Sequence, residues 1–176
     1  MKRIILLFFV LASMLASAAC DVLRGGMIVD WTPVSVYIEA TDAAGNSIIS
    51  PVMPGMSLTF KGETYTVQQA REYPEIVQTK AYLPVMFGLV AEKVSGTDEL
   101  PVYRLVFGEI DGAADMDEDI ELNWPDGSKD VIHYHCSNHR EWPEPDCDRS
   151  WKLNGKKHEG AVFKFSGKSV PAFLQD

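Results

Sequence analysis

The sequence predicts an all-β fold, an antiparallel β-sandwich of nine or ten short strands. Three observations carry this. Apolar and polar residues alternate at period two in run after run, which lays an apolar stripe on one side of an extended chain. Clusters of Gly, Pro, Asn and Asp separate the runs at short, regular spacing. Helical periodicity is almost absent, and no internal repeat or Pro/Ser linker marks a second domain.

The elements follow in order. Val34 to Ala40 alternates Val34, Val36 and Ile38 with Ser35, Tyr37 and Glu39, a strand. Asp42-Ala43-Ala44-Gly45-Asn46 is a turn, and Ser47 to Ser50 is expected to pair back. Met56 to Phe60 and Thr64 to Val67 flank Lys61-Gly62-Glu63 as a second hairpin. Gln68 to Lys80, with Pro74, reads as a loop. Ala81 to Val94 and Val102 to Ile110 are the central pair. Leu83, Val85, Phe87, Leu89 and Ala91 share one parity, as do Tyr103, Leu105 and Phe107. A turn centred on Thr97 would set Phe87 opposite Phe107.

Asp111 to Asp119 reads as an acid-rich loop. Ile120, Leu122 and Trp124 then alternate into a strand that turns at Pro125-Asp126-Gly127. On the return strand Ile132, Tyr134 and Cys136 face the core, and Val131, His133 and His135 face outward beside Glu121 and Asn123. Ser137 to Ser150 is expected to be an irregular loop. Asn154-Gly155 is a strong hairpin signal after Trp151-Lys152-Leu153, and Ala161 to Phe165 is the last strand. The tail to Asp176 carries no pattern.

The start of the chain is of a different kind. Lys2 and Arg3 precede the unbroken apolar run Ile4 to Leu11, followed by small residues ending Ala16-Ser17-Ala18-Ala19-Cys20. This is the layout of a secretory signal peptide, too short in its apolar run to span a membrane. Small residues directly before Cys20 resemble the lipobox of bacterial lipoproteins, although Ser17 stands where that family usually has leucine, and Ala16-Ser17-Ala18 is also an ordinary cleavage site. The resemblance implies removal of residues 1–19, diacylation of Cys20, a tether over residues 20–30 with Gly25-Gly26, and a single domain over residues 31–176. Several acyl chains would hold the protein on a membrane.

Cysteine number agrees with that reading. The chain has three, Cys20, Cys136 and Cys147, and an odd count in an exported protein leaves one thiol to explain. With lipid on Cys20, Cys136 and Cys147 can form one disulfide in an oxidising compartment. It would close a loop of about a dozen residues and contribute on the order of 3 kcal/mol.

The formal net charge is −9. Losing Lys2 and Arg3 with the signal makes it −11, with 14 basic residues against 25 acidic. That argues against binding to nucleic acid or to an anionic membrane surface by charge.

The sharpest candidate chemistry is His133-Tyr134-His135, with His139 nearby. Two histidines two apart on a strand point the same way, about 7 Å apart along the backbone, a spacing that suits a shared Zn²⁺ with His139 reaching in from the loop. No carboxylate is fixed by spacing as a further ligand, and the bland alternative is an exposed polar strand face. Asp115, Asp117 and Asp119 open like a calcium loop, but Ile120 stands where an EF-hand needs glycine and Asp126 where it needs glutamate; a solvated acidic loop is the simpler account. Of Trp31, Trp124, Trp142 and Trp151, the second and fourth lie in strand patterns and belong to the core, which leaves Trp142 to stack on a sugar or to pack as a lid over the disulfide. Gly167-Lys168-Ser169 looks like the end of a phosphate loop, but Val162 replaces its first glycine and no helix is expected to follow. There is no Gly-x-Ser-x-Gly elbow and no His-Glu-x-x-His.

Two family resemblances bear on fold and location. The strand, Asp42-x-x-Gly45-Asn46, apolar pair and Pro51 resemble the opening hairpin of secreted immunoglobulin-like and transthyretin-like domains. The signal, Cys20 and the all-β body together resemble the small lipoproteins of Bacteroidetes. They imply a protein of the bacterial cell envelope, anchored by lipid and facing the periplasm or cell surface. The expected role is a non-catalytic interaction or structural module with no cofactor. Its partners would be the membrane, through the lipid, and a protein or glycan; the alternatives are glycan binding through Trp142 and metal binding through His133, His135 and His139.

Overall fold

A computed structural model describes residues 34–68, 86–96, 101–110, 115–139 and 146–171. The chain divides into Met1–Asp30 and Trp31–Asp176, and all the described residues belong to the second unit. These residues are all-β. The strands are β1 (Ser35–Ala40), β2 (Ser57–Phe60), β3 (Glu63–Gln68), β4 (Leu89–Gly96), β5 (Pro101–Glu109), β6 (Met116–Asn123), β7 (Lys129–His139), β8 (Asp146–Leu153), β9 (Lys156–His158) and β10 (Val162–Phe165).

They form one ten-stranded sheet in the order β10-β1-β5-β4-β3-β2-β6-β7-β8-β9, curled into a half-barrel. The edge strands β9 and β10 are joined by only residues 159–161. The curl brings them together: His158 Nε2 lies 2.9 Å from the Val162 carbonyl, and the His158 ring stacks on Phe163 at 4.4 Å. Two pairings depart from the antiparallel expectation. β1 runs parallel to β10, and β3 parallel to β4; parallel neighbours need a long crossover, and the stretch from Gln68 to Leu89 is long enough to supply one.

The turns are where residue chemistry sets the path. Lys61 and Gly62 have φ of 50° and 81°, and Asn154 and Gly155 have 50° and 78°. Each pair forms the two-residue turn with both φ positive whose twist matches a hairpin, so Phe60 pairs with Glu63 and Leu153 with Lys156. Asp42 fixes its turn by accepting from the backbone N–H of Ala44 and Asn46 at 2.9 and 2.8 Å. A further bond from Asn46 Nδ2 to Asp42 Oδ2 at 3.0 Å contributes most, and together these hydrogen bonds hold the carboxyl below the usual range. The return after this turn is only the bridge from Thr41 to Ser47, short of the strand expected over Ser47 to Ser50.

The core takes one parity from each strand. Val36, Ile38, Leu58, Leu89, Leu105, Phe107, Ile120, Leu122, Ile132, Tyr134, Cys136 and Phe163 are fully buried. Rings meet across the curl: Phe107 packs edge-on against Phe60 and Tyr65 at 5.5 and 5.1 Å, and Trp151 against Phe163 at 5.5 Å. Trp124, one residue past β6, and Trp151 on β8 are core residues, as the alternation of their segments required.

The central hairpin keeps its faces but not its register. Leu89, not Phe87, lies opposite Phe107. Gly88 has φ 84°, which interrupts the extended run, and β4 starts at Leu89; residues 81–85 of the expected strand lie outside the described residues. A bulge between Lys93 and Ser95 shifts the pairing near the tip to Gly96 opposite Pro101. A slip of two residues preserves every inward side chain, so alternation alone cannot detect it.

Candidate functional site

The outer face of β6 and β7 gathers most of the chemistry. The tight turn after Trp124 sets their register: Trp124 N–H donates to the Ser128 carbonyl at 2.9 Å, and Ser128 N–H to Asp126 Oδ1 at 2.8 Å. Counting back, His133 falls opposite Asp119 and His135 opposite Asp117. This corrects the placement of the histidines beside Glu121 and Asn123. It also corrects the loop reading of the acidic run. Asp117 and Asp119 stand on a strand with their side chains on one face, so they cannot wrap a cation as a calcium loop does. Residues 111–114 are outside the described residues.

The contacts are close. His133 Nδ1 lies 2.9 Å from Asp119 Oδ1, and His133 Nε2 lies 3.1 Å from Asp117 Oδ1. His135 Nδ1 lies 3.3 Å from the same Asp117 oxygen. The side chains are 29% exposed at His133, 48% at His135 and 69% at Asp117. Thr59, Lys61 and Gly62 from the β2–β3 turn join Asp117, Glu118, Asp119, Glu121 and His133 around a shallow cavity of about 450 Å³. Lys61 Nζ reaches Glu118 at 4.0 Å. Among the described residues no group of three or more histidine, cysteine or carboxylate side chains could, as placed, hold a metal ion; the histidine nitrogens meet the carboxylates in direct contact.

His139 does not join this pair. β7 continues through it and β8 begins at Asp146, so most of the expected irregular loop is hairpin. His139 sits four register pairs beyond His135, opposite Asp146, with Nε2 3.4 Å from Asp148 Oδ2. Trp142 and the rest of residues 140–145 lie outside the described residues, as does Trp31.

Cys136 faces the core, opposite in parity to the histidines, and its sulfur lies 3.1 Å from that of Cys147. No disulfide joins them in this structure. Closing one requires the sulfurs to approach by about 1 Å.

A second polar cluster escaped the sequence. Asp130 is the only buried charged residue among those described, at 8% exposure. It accepts from Trp124 Nε1 at 2.7 Å, Asn154 Nδ2 at 2.7 Å and Lys168 Nζ at 2.6 Å. Burial pushes its carboxyl up, but the hydrogen bonds from Lys168, Asn154 and Trp124, with the Lys168 charge, outweigh that and hold it below the usual range. Lys168 also donates to Ser128 Oγ at 3.0 Å and lies over the Trp124 ring at 5.0 Å. Gly167-Lys168-Ser169 is therefore a clasp tying the tail to the β6–β7 turn and to Asp130 at the start of β7, the residue that also holds Asn154 of the β8–β9 turn. Lys168 lies 38 residues from Asp130 in the chain, and no local pattern signals the pair.

No family model, no curated protein and no solved structure matches this chain.

Proposed function

We propose that the protein is an exported lipoprotein of the bacterial cell envelope whose β-domain serves as a non-catalytic interaction module. The observation that carries this is the run from Lys2 to Cys20, a basic start, an apolar stretch and small residues ending at one cysteine. Lipid on Cys20 would leave the two remaining thiols as a pair, and the 3.1 Å approach of Cys136 to Cys147 supports that division. The acidic outer face of β6 and β7, where Asp117, Asp119 and Glu121 stand exposed, suits a partner carrying positive charge. We also read the two halves of the curled sheet as the facing layers of a sandwich. The Phe60–Phe107 and Trp124–Phe165 ring contacts, at 5.5 and 5.0 Å, support this by joining strands from opposite halves.

The test is fractionation of a bacterium expressing the full chain and its Cys20→Ala variant. The wild type is expected in the membrane fraction, partitioning into detergent, and the variant in the aqueous fraction. Equal partitioning of the two would remove the lipid anchor from the account.

A further inference from the structure

We infer that Asp117, His133 and His135 form a surface site for a divalent transition cation of the zinc class, with Asp119 as the carboxylate that orients His133. This goes beyond the envelope reading and stands or falls independently of it. The face parity on β7 supplies the two imidazoles, and the β6–β7 register supplies the carboxylates that the sequence could not place.

The distances fit the requirement. In a tetrahedral site with metal–ligand bonds of about 2.0–2.1 Å, neighbouring ligand atoms are roughly 3.3 Å apart. Asp117 Oδ1 lies 3.1 Å from His133 Nε2 and 3.3 Å from His135 Nδ1, which gives two edges of such a polyhedron from three side chains. The other nitrogen of His133 is held by Asp119 at 2.9 Å. A carboxylate on the far ring nitrogen keeps the hydrogen on Nδ1 and the lone pair on Nε2, the arrangement that supports metal-bound histidines.

A cation entering here would replace the direct contacts of Asp117 with the two rings. As placed, the three side chains could not hold an ion, so these partly exposed groups must turn to admit one. The charges favour it. One carboxylate and two neutral imidazoles leave a dication with a single positive charge, beside Asp119 and Glu121 on the same exposed face. Lys152 pairs with His133 across β8 and is exposed on that face too, so it opposes the cation. Two nitrogen ligands select zinc, nickel or copper over calcium and magnesium.

The experiment is calorimetric titration of the full chain with zinc chloride and, separately, with calcium chloride. One equivalent of zinc is expected to bind with Kd on the order of micromolar, with calcium unable to compete at millimolar concentration. His133→Ala and His135→Ala should each weaken zinc at least tenfold with unchanged circular dichroism. Asp119→Asn should weaken it about 10- to 100-fold, as loss of an orienting carboxylate does. Lys152→Gln should tighten it, an effect a purely structural residue would not produce. Absence of zinc binding below roughly 100 μM, or stoichiometric binding that survives both histidine substitutions and so belongs to the thiols, would overturn the inference.

Discussion

Replacing Lys168 with methionine keeps the unbranched stem over Trp124 and Phe165 but removes the charge that meets Asp130 at 2.6 Å. The side chains of Lys168 and Asp130 are 13% and 11% exposed, so solvent cannot replace the lost partner. Removing one member of a buried pair costs about 3–5 kcal/mol. The carboxyl sets a ceiling: Asp130 can escape by taking a proton, at about 1.4 kcal/mol per pH unit above an ordinary value near 3.9, roughly 4 kcal/mol at pH 7. Trp124 and Asn154 still donate to it. We therefore expect a loss of about 3 kcal/mol at pH 7, or about 6–12 °C in Tm for a domain of this length. Urea unfolding followed by the fluorescence of the buried Trp124 and Trp151 measures it. The loss should shrink at pH 4, where protonation of the stranded carboxyl costs little. A loss below about 1 kcal/mol at pH 7, or the same loss at both pH values, would refute the reasoning.

The same carboxyl fixes the acid response. Its folded value lies below the ordinary one, so its contribution is full above the unfolded value, about 3.9, and disappears as pH falls through the folded value; the gap in stability between wild type and Asp130→Asn should close below about pH 4. Phe107→Ala removes a fully buried ring that contacts Phe60 and Tyr65 and should cost about 3–5 kcal/mol by chemical denaturation. Gly108→Ala places a methyl 2.7 Å from Met86 Sδ and 3.2 Å from the Phe87 nitrogen, an overpacking that should cost about 1–3 kcal/mol. A neutral result there would mean that residues 86–87 move aside freely.

Much of the sheet was legible because burial and alternation are the same fact seen twice. Leu105 and Phe107, Ile120 and Leu122, Ile132 and Tyr134 all lie inside, and Gly62, Asn154 and Gly155 take the positive φ that glycine and asparagine tolerate, with Lys61 following at 50°. Faces were readable and registers were not, since a two-residue slip leaves each inward side chain inward. That is why His133 and His135 were rightly placed outside, yet matched with Glu121 and Asn123 rather than with Asp119 and Asp117. The Asp111 to Asp119 run looked like loop because strands are rarely so acidic. In β6, burial falls on Ile120 and Leu122 while Asp117, Asp119 and Glu121 take the solvent face. Lys168 and Asp130 meet only through the fold, and chain-order reading had no means of joining them.

The intact mass of the protein extracted from the membranes of its producing cell tests the envelope reading most directly, taken before and after reduction. The account predicts a chain beginning at Cys20, carrying acyl groups and gaining two hydrogens on reduction as the Cys136–Cys147 bond opens. An unmodified Cys20, or a mass that still includes residues 1–19, would contradict it.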